Sequence, residues 1–261
     1  MAGTAGCAAR AAFNSTTEAE MLPLRAKPAG LYCGGMKTNS RWLPWIFPLL
    51  LLVLCSCDLH QKLAELHFNQ AMKKFEAGDS AGAMDDFSGA IAQNPQFAEA
   101  YLYRGVCFFS LSNYPAAIKD FARVLDLDPN NERAYYYSGA AELGLKDFKG
   151  AITNFSKAME LQPDDAEPCN YRGLARANVR DWNGALDDFN RVIELTPEEA
   201  TAYRNRSGVE IPLKEYEKAL ADADKAIELD GQDAMSYRIR GHAKAALKDF
   251  PGATADYDKA I

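Results

Sequence analysis

The 261-residue sequence predicts an all-α fold, a solenoid built from antiparallel helix pairs. Three observations predict it. Small residues recur every 34 positions, at Ala83, Ala117, Ala151, Ala185, Ala219 and Ala253. Four residues after each of these stands Phe87, Phe121, Phe155, Phe189, Ala223 or Tyr257. Prolines close the units at Pro95, Pro129, Pro163 and Pro197, with Gly231 at the end of the fifth. A unit of this length cannot bury its apolar face alone, so stacked neighbours must supply the core.

Each repeat reads as a helix A followed by a helix B. In the second repeat, Tyr101, Gly105 and Phe108 fall at i, i+4 and i+7, which places helix A over 98–111. Helix B follows over 114–127, with Pro115 at its start, where a missing N–H costs little. Asp128-Pro129-Asn130-Asn131 is a turn signal that ends the pair. Twelve residues before each repeated Ala is another small residue, Ala71, Gly105, Gly139, Gly173, Ser207 or Gly241. Small side chains at both positions let A and B approach closely, and the Phe of helix B fills the space between layers. The fifth repeat departs most: Pro212 cuts its helix A short, Ala223 replaces the Phe, and Gly231 replaces the Pro. Looser packing is expected there.

Two polar positions keep the same period. Three residues after the repeated Ala stand Asp86, Asp120, Asn154, Asp188, Asp222 and Asp256. Thirteen residues before it stand Gln70, Arg104, Ser138, Arg172, Arg206 and Arg240. The third repeat loses both partners together, so Arg and Asp are expected to pair between helices A and B of one repeat. As exposed pairs they would contribute about 0–1 kcal/mol each.

These spacings resemble the tetratricopeptide repeat (TPR), whose 34-residue pattern combines A-x3-F with a following Pro. The resemblance covers 64–261, with repeats at 64–97, 98–131, 132–165, 166–199, 200–233 and an incomplete one at 234–261. It implies a right-handed superhelical array whose A helices line a peptide-binding groove. Carried over by register, the groove residues are Phe68, Met72, Phe75, Leu102, Val106, Phe109 and Tyr136 on an apolar half, and Asn170, Arg204, Arg238 and His242 on a polar, basic half. Such a groove suits an extended or helical peptide with an acidic end. The Lys and Asn pattern that some TPR co-chaperones use to clamp a partner's terminal carboxylate is absent from these positions. Cys107 and Cys169 fall at packing positions and read as small buried hydrophobes.

The front of the chain is different. Segment 1–35 is Ala/Gly-rich with acids at Glu18 and Glu20, fits no targeting peptide, and is expected to be disordered. The apolar run 42–54 is too short to span a bilayer but suits a signal-peptide core, with Lys37 and Arg41 before it. Leu54-Cys55-Ser56-Cys57 resembles the lipobox of bacterial lipoproteins, with Cys57 as the acylated residue. That resemblance implies a signal peptide over 36–57, translation starting at Met36, a short linker at 58–63, and a lipid-anchored array in the bacterial cell envelope. Asp58 resembles an inner-membrane retention signal of some enteric bacteria, a rule that need not hold elsewhere, so the choice of membrane stays open.

Charge separates the same two parts. Residues 1–57 hold Arg10, Arg25, Lys27, Lys37 and Arg41 against Glu18 and Glu20, so the −7 of the whole chain concentrates as −10 on the repeats. An acidic body argues against nucleic-acid binding, which depends on Lys and Arg at phosphates. With three His and no phosphate loop, nucleophile–base pair or ligand cluster, the sequence predicts no enzyme activity, cofactor or metal. The expected function is a protein-binding scaffold or adaptor on a membrane. The alternative is a docking arm of a longer enzyme or secretion component, because Ile261 ends the sequence inside helix B of the sixth repeat, before any closing Pro or polar cap.

Overall fold

A computed structural model describes residues 43–261, with side chains from Asp58 onward. The expectations for 1–35, the start at Met36, and the side chain of Cys57 lie outside the described residues. Among the described residues the secondary structure is helical throughout, in twelve helices. Contacts divide the chain after Ala100 into two compact bodies, taken here in turn.

The first body contains α1 (Leu43–Glu76) and α2 (Ser80–Gln93). Helix α1 runs without a break through 58–63 into helix A of the first repeat. Its middle turns are tied to the end of α2: Asn94 Nδ2 donates to Gln61 Oε1 at 3.0 Å, and His60 Nδ1 lies 2.7 Å from Gln93 Oε1. Ala64, Ala71, Ala83, Phe87 and Ala90 form the buried seam between the two helices. Phe68 packs against Phe87 and Phe97, with ring centroids 5.6 and 4.9 Å apart.

The chain continues as five further pairs: α3 (Ala98–Ser110) with α4 (Tyr114–Leu127), α5 (Glu132–Gly144) with α6 (Phe148–Leu161), α7 (Ala166–Asn178) with α8 (Trp182–Leu195), α9 (Ala200–Glu210) with α10 (Tyr216–Leu229), and α11 (Ala234–Ala246) with α12 (Phe250–Lys259). The predicted limits of the second repeat hold to within one residue. Pro115 and Pro251 sit in the first turns of α4 and α12. From α5 onward, each helix packs on the next in sequence.

The repeated Phe and the repeated Gly are one device. Phe121, Phe155 and Phe189 are fully buried. A Cβ at Gly105 would lie 2.5 Å from Phe121 Cε1, and one at Gly173 would lie 2.8 Å from Phe189 Cε1. Helix A therefore lays bare backbone on the ring of helix B. Where the ring becomes Ala223, the glycine becomes Ser207, also fully buried. Each ring also reaches the following repeat: Phe121 stacks on Tyr137 and Phe155 on Tyr171, both at 5.8 Å. Such pairs add about 0.5–1.5 kcal/mol beyond burial.

Helix ends are set by local chemistry. Asp147, Asp181 and Asp249 cap helices α6, α8 and α12 by accepting from the backbone N–H three residues on. The A-to-B turn reverses through a left-handed residue: Ser112, Lys146, Arg180, Lys214 and Lys248 have φ between 60° and 69°. After α5, the N–H of Lys146 donates to Leu143 O at 3.0 Å and that of Asp147 to Glu142 O at 2.8 Å, which satisfies the last carbonyls. Helix α9 ends two residues earlier than its counterparts, as Pro212 requires.

Candidate interaction face on the A helices

The Arg–Asp pairs form, and they are not surface pairs. Arg104 reaches Asp120 through Nε and Nη2, both at 2.7 Å. Arg172 reaches Asp188 at 2.6 Å, Arg206 reaches Asp222 at 2.5 Å, and Arg240 reaches Asp256 at 2.5 Å. The Asp188 side chain is 2% exposed and that of Arg172 17%, so the value for exposed pairs does not apply. Three of these Arg also grip the repeat before them: Arg172 donates to Ser156 Oγ at 2.9 Å, Arg206 to Asn190 Oδ1 at 2.7 Å, and Arg240 to Asp224 Oδ1 at 2.7 Å. One guanidinium thus fixes the A–B pair and its register on the preceding layer. Burial alone would raise the carboxyl of Asp256, but hydrogen bonds from Arg240 and Lys244 outweigh it and hold the group below its usual range.

The apolar half of the expected groove changes character. Leu102, Val106, Phe109 and Tyr136 are buried, none more than 9% exposed. They are packing residues, which corrects the expectation of an open apolar stretch there. For the aromatic members the reason is ring crowding within and between repeats. Phe109 lies 5.5 Å from Tyr114 and 6.0 Å from Tyr137, while Tyr136 lies 5.1 Å from Tyr137 and 6.0 Å from Tyr171. In the first body, Phe68, Met72 and Phe75 are half-buried.

The polar half remains accessible in part. Asn170 accepts from Asn205 Nδ2 at 2.9 Å and so links two repeats. Arg204 is half-buried and lies 3.4 Å from Asp233, which offsets its charge. Arg238 and His242 stand one turn apart on α11 and are exposed. The His242 ring meets Tyr257 edge-on at 5.7 Å.

The structure adds an acidic, tyrosine-lined section that sequence reasoning missed. Burial, with Asp165 and Glu167 nearby, pushes the Glu132 carboxyl up to about 7, although Arg133 opposes the shift. Burial also raises Glu167, against a hydrogen bond from Tyr136. Arg133 lies over the Tyr103 ring at 5.3 Å. Glu167 occupies the same register place as Arg133, one repeat later, so extending the groove register would have found it. Its desolvation is a tertiary effect.

Cys107 and Cys169 are fully buried. Burial pushes their thiols up to about 12 and about 11, which makes them unreactive. Among the described residues no group of three or more His, Cys, Asp or Glu is placed to hold a metal ion. Among them, too, no helix is long and apolar enough to cross a membrane.

Helix pairs locked by a repeated ring-on-glycine contact and a repeated Arg–Asp pair define an all-α solenoid suited to protein–protein interaction. The family model of the tetratricopeptide repeat matches residues 68–132, 110–166 and 172–234, and the chain belongs to that family. No curated protein matches it. Among solved structures it is similar to MamA 41-end from Desulfovibrio magneticus RS-1, at 23% identity and TM-score 0.62, over 64% of this chain and 94% of that one. It is also similar to PilF of Pseudomonas aeruginosa, at 17% identity and TM-score 0.64, over 76% and 90%. YrrB, a TPR protein with an unusual peptide-binding site, matches at 25% identity and TM-score 0.60, over 65% of this chain and 88% of that one. The likenesses to MamA and PilF concern the fold alone.

Proposed function

We propose that the chain is a non-enzymatic adaptor that binds a peptide segment along its A-helix face and is held to a bacterial envelope membrane by lipid on Cys57. The observation that carries the binding reading is the exposed pair Arg238 and His242 on α11, beside the Arg204–Asp233 contact. With Leu102, Val106, Phe109 and Tyr136 buried, recognition on this face is electrostatic and aromatic rather than broadly hydrophobic. A segment with an acidic end matches the Arg238 and His242 end. The peptide-binding site of YrrB supports the same use of a TPR array.

An array of acidic and basic peptides probed with the full chain tests the binding. Peptides ending in Asp or Glu should be retained, and Arg238→Glu should abolish their retention. Retention indifferent to that change overturns the groove reading. Palmitate labelling in a bacterial host tests the anchor: label on wild type and not on Cys57→Ser supports it, and equal label on both refutes it.

A further inference from the structure

The position four residues after the repeated Arg follows a charge rule. It holds Lys74, Phe108, Glu142, Arg176, Glu210 and Lys244. In three repeats a cation there meets the Asp of helix B: Lys74 Nζ lies 2.7 Å from Asp86, Arg176 Nη1 lies 2.9 Å from Asp188, and Lys244 Nζ lies 2.8 Å from Asp256. In the third repeat both members change together, and Asn154 Nδ2 donates to Glu142 at 2.7 Å. In the second, the aromatic Phe108 lies beneath the Arg104 guanidinium at 6.0 Å.

The fifth repeat breaks the rule by setting an acid, Glu210, toward the acid Asp222. Glu210 is only 5% exposed, and its Oε2 is a buried atom with no hydrogen-bond partner. Leaving such an atom unmade is costly, about 1–3 kcal/mol or more. Both nearby cations are engaged: Arg206 by Asp222 at 2.5 Å and Asn190 at 2.7 Å, and Lys218 by Glu215 at 3.0 Å. Beside Glu210 opens a cavity of about 330 Å³ between α8, α9 and α10, with Leu186 and Ala221 as apolar wall. That volume is within the range of small-ligand sites.

We propose that this cavity binds a primary alkylammonium group, the head of a lysine side chain on a partner, which enters beside Glu210 and takes the place that Lys244 holds in the sixth repeat. The methylene stem lies along Leu186 and Ala221, and the Glu210 carboxyl turns its buried, unpartnered Oε2 toward the cavity to accept from the ammonium, which completes the charge balance. A divalent metal is a poor fit, because Asp222 is already committed to Arg206 and the remaining carboxylates are too few for six to eight oxygen ligands. None of the groove residues lines the cavity, and the site does not depend on the peptide reading.

The groups facing Glu210 are Arg206 on its own helix, Asp222 and Lys218 from α10, and Glu215 from the turn; α8 contributes the non-titrating Leu186 and Asn190. Burial first, and then Asp222, push the Glu210 carboxyl up to about 7, so the ionised form that receives a cation grows about tenfold between pH 6 and pH 8.

The test titrates the full chain with Nα-acetyl-lysine N-methylamide and, separately, with butane-1,4-diamine, followed by amide NMR shifts at Ala221 and Asp222. The lysine derivative should give saturable shifts about tenfold tighter at pH 8 than at pH 6. Glu210→Gln, which copies the protonated group and preserves the fold, should abolish them. Glu210→Lys should also abolish them and raise the melting temperature by filling the site from within. Non-saturating shifts, or saturation that survives Glu210→Gln, overturn the proposal. Saturation by the diamine alone overturns the lysine source.

Discussion

Asp188→Ala is the perturbation that most directly tests how the layers are held. Asp188 accepts from Arg172 Nε at 3.1 Å and from Arg172 Nη2 at 2.6 Å, and Arg176 Nη1 lies 2.9 Å away. Removing the carboxylate leaves two partly buried guanidiniums without their anion. An exposed pair would cost about 0–1 kcal/mol. A buried pair stripped of one partner costs about 3–5 kcal/mol. With the Asp188 side chain 2% exposed, the higher range applies. Urea denaturation of the full chain, followed by far-ultraviolet circular dichroism, measures the loss. Asn154→Asp in the third repeat is the converse control. It introduces the missing acid where Ser138 offers no Arg and Glu142 already lies within hydrogen-bond distance of residue 154, so it too should destabilise. A cost below about 1 kcal/mol for Asp188→Ala, or a gain from Asn154→Asp, would refute the reasoning that buried charge balance sets the register.

Three further outcomes follow from the same geometry. Gly105→Ala should destabilise by up to about 2 kcal/mol in a thermal melt, since a Cβ 2.5 Å from Phe121 costs about 1–3 kcal/mol against a helix-propensity gain of about 1. Lys146→Gly should stabilise by about 0.5–1 kcal/mol in urea, because its φ of 64° strains any residue with a Cβ. Stability should fall as pH rises from 4.5 through 7, because Glu210 keeps its proton in the folded chain after the unfolded chain has lost it; the stability it contributes is full below 4.5 and lost above about 7, a share on the order of 3 kcal/mol that Glu210→Gln should remove from the pH profile while the like-signed share of Glu132 stays.

The periodic features were legible because they are local or repeat at one spacing. The 34-residue period placed the helices of the second repeat to within a residue. The joint loss of Arg and Asp at Ser138 and Asn154 was enough to pair the second, fourth, fifth and sixth repeats, because residues sixteen apart across a fixed helical hairpin meet the same way each time. The groove was less legible. Register named Leu102, Val106, Phe109 and Tyr136, but their accessibility depends on how far neighbouring aromatic rings turn toward them.

The sequence by itself therefore determined the class of fold, the helix limits of the second repeat, the early stop of α9 at Pro212, and the identity of the Arg–Asp partners. Each follows from chemistry within one repeat, where covalent connection and helix geometry leave little freedom. Only the tertiary structure decided which of these groups lose their water. It turned pairs expected at the surface into buried ones, an expected apolar groove into packing, and Glu210 into a carboxyl beside a cavity with Oε2 unsatisfied. Burial is a sum over neighbouring layers, and it shifts electrostatic energies several-fold without changing a residue.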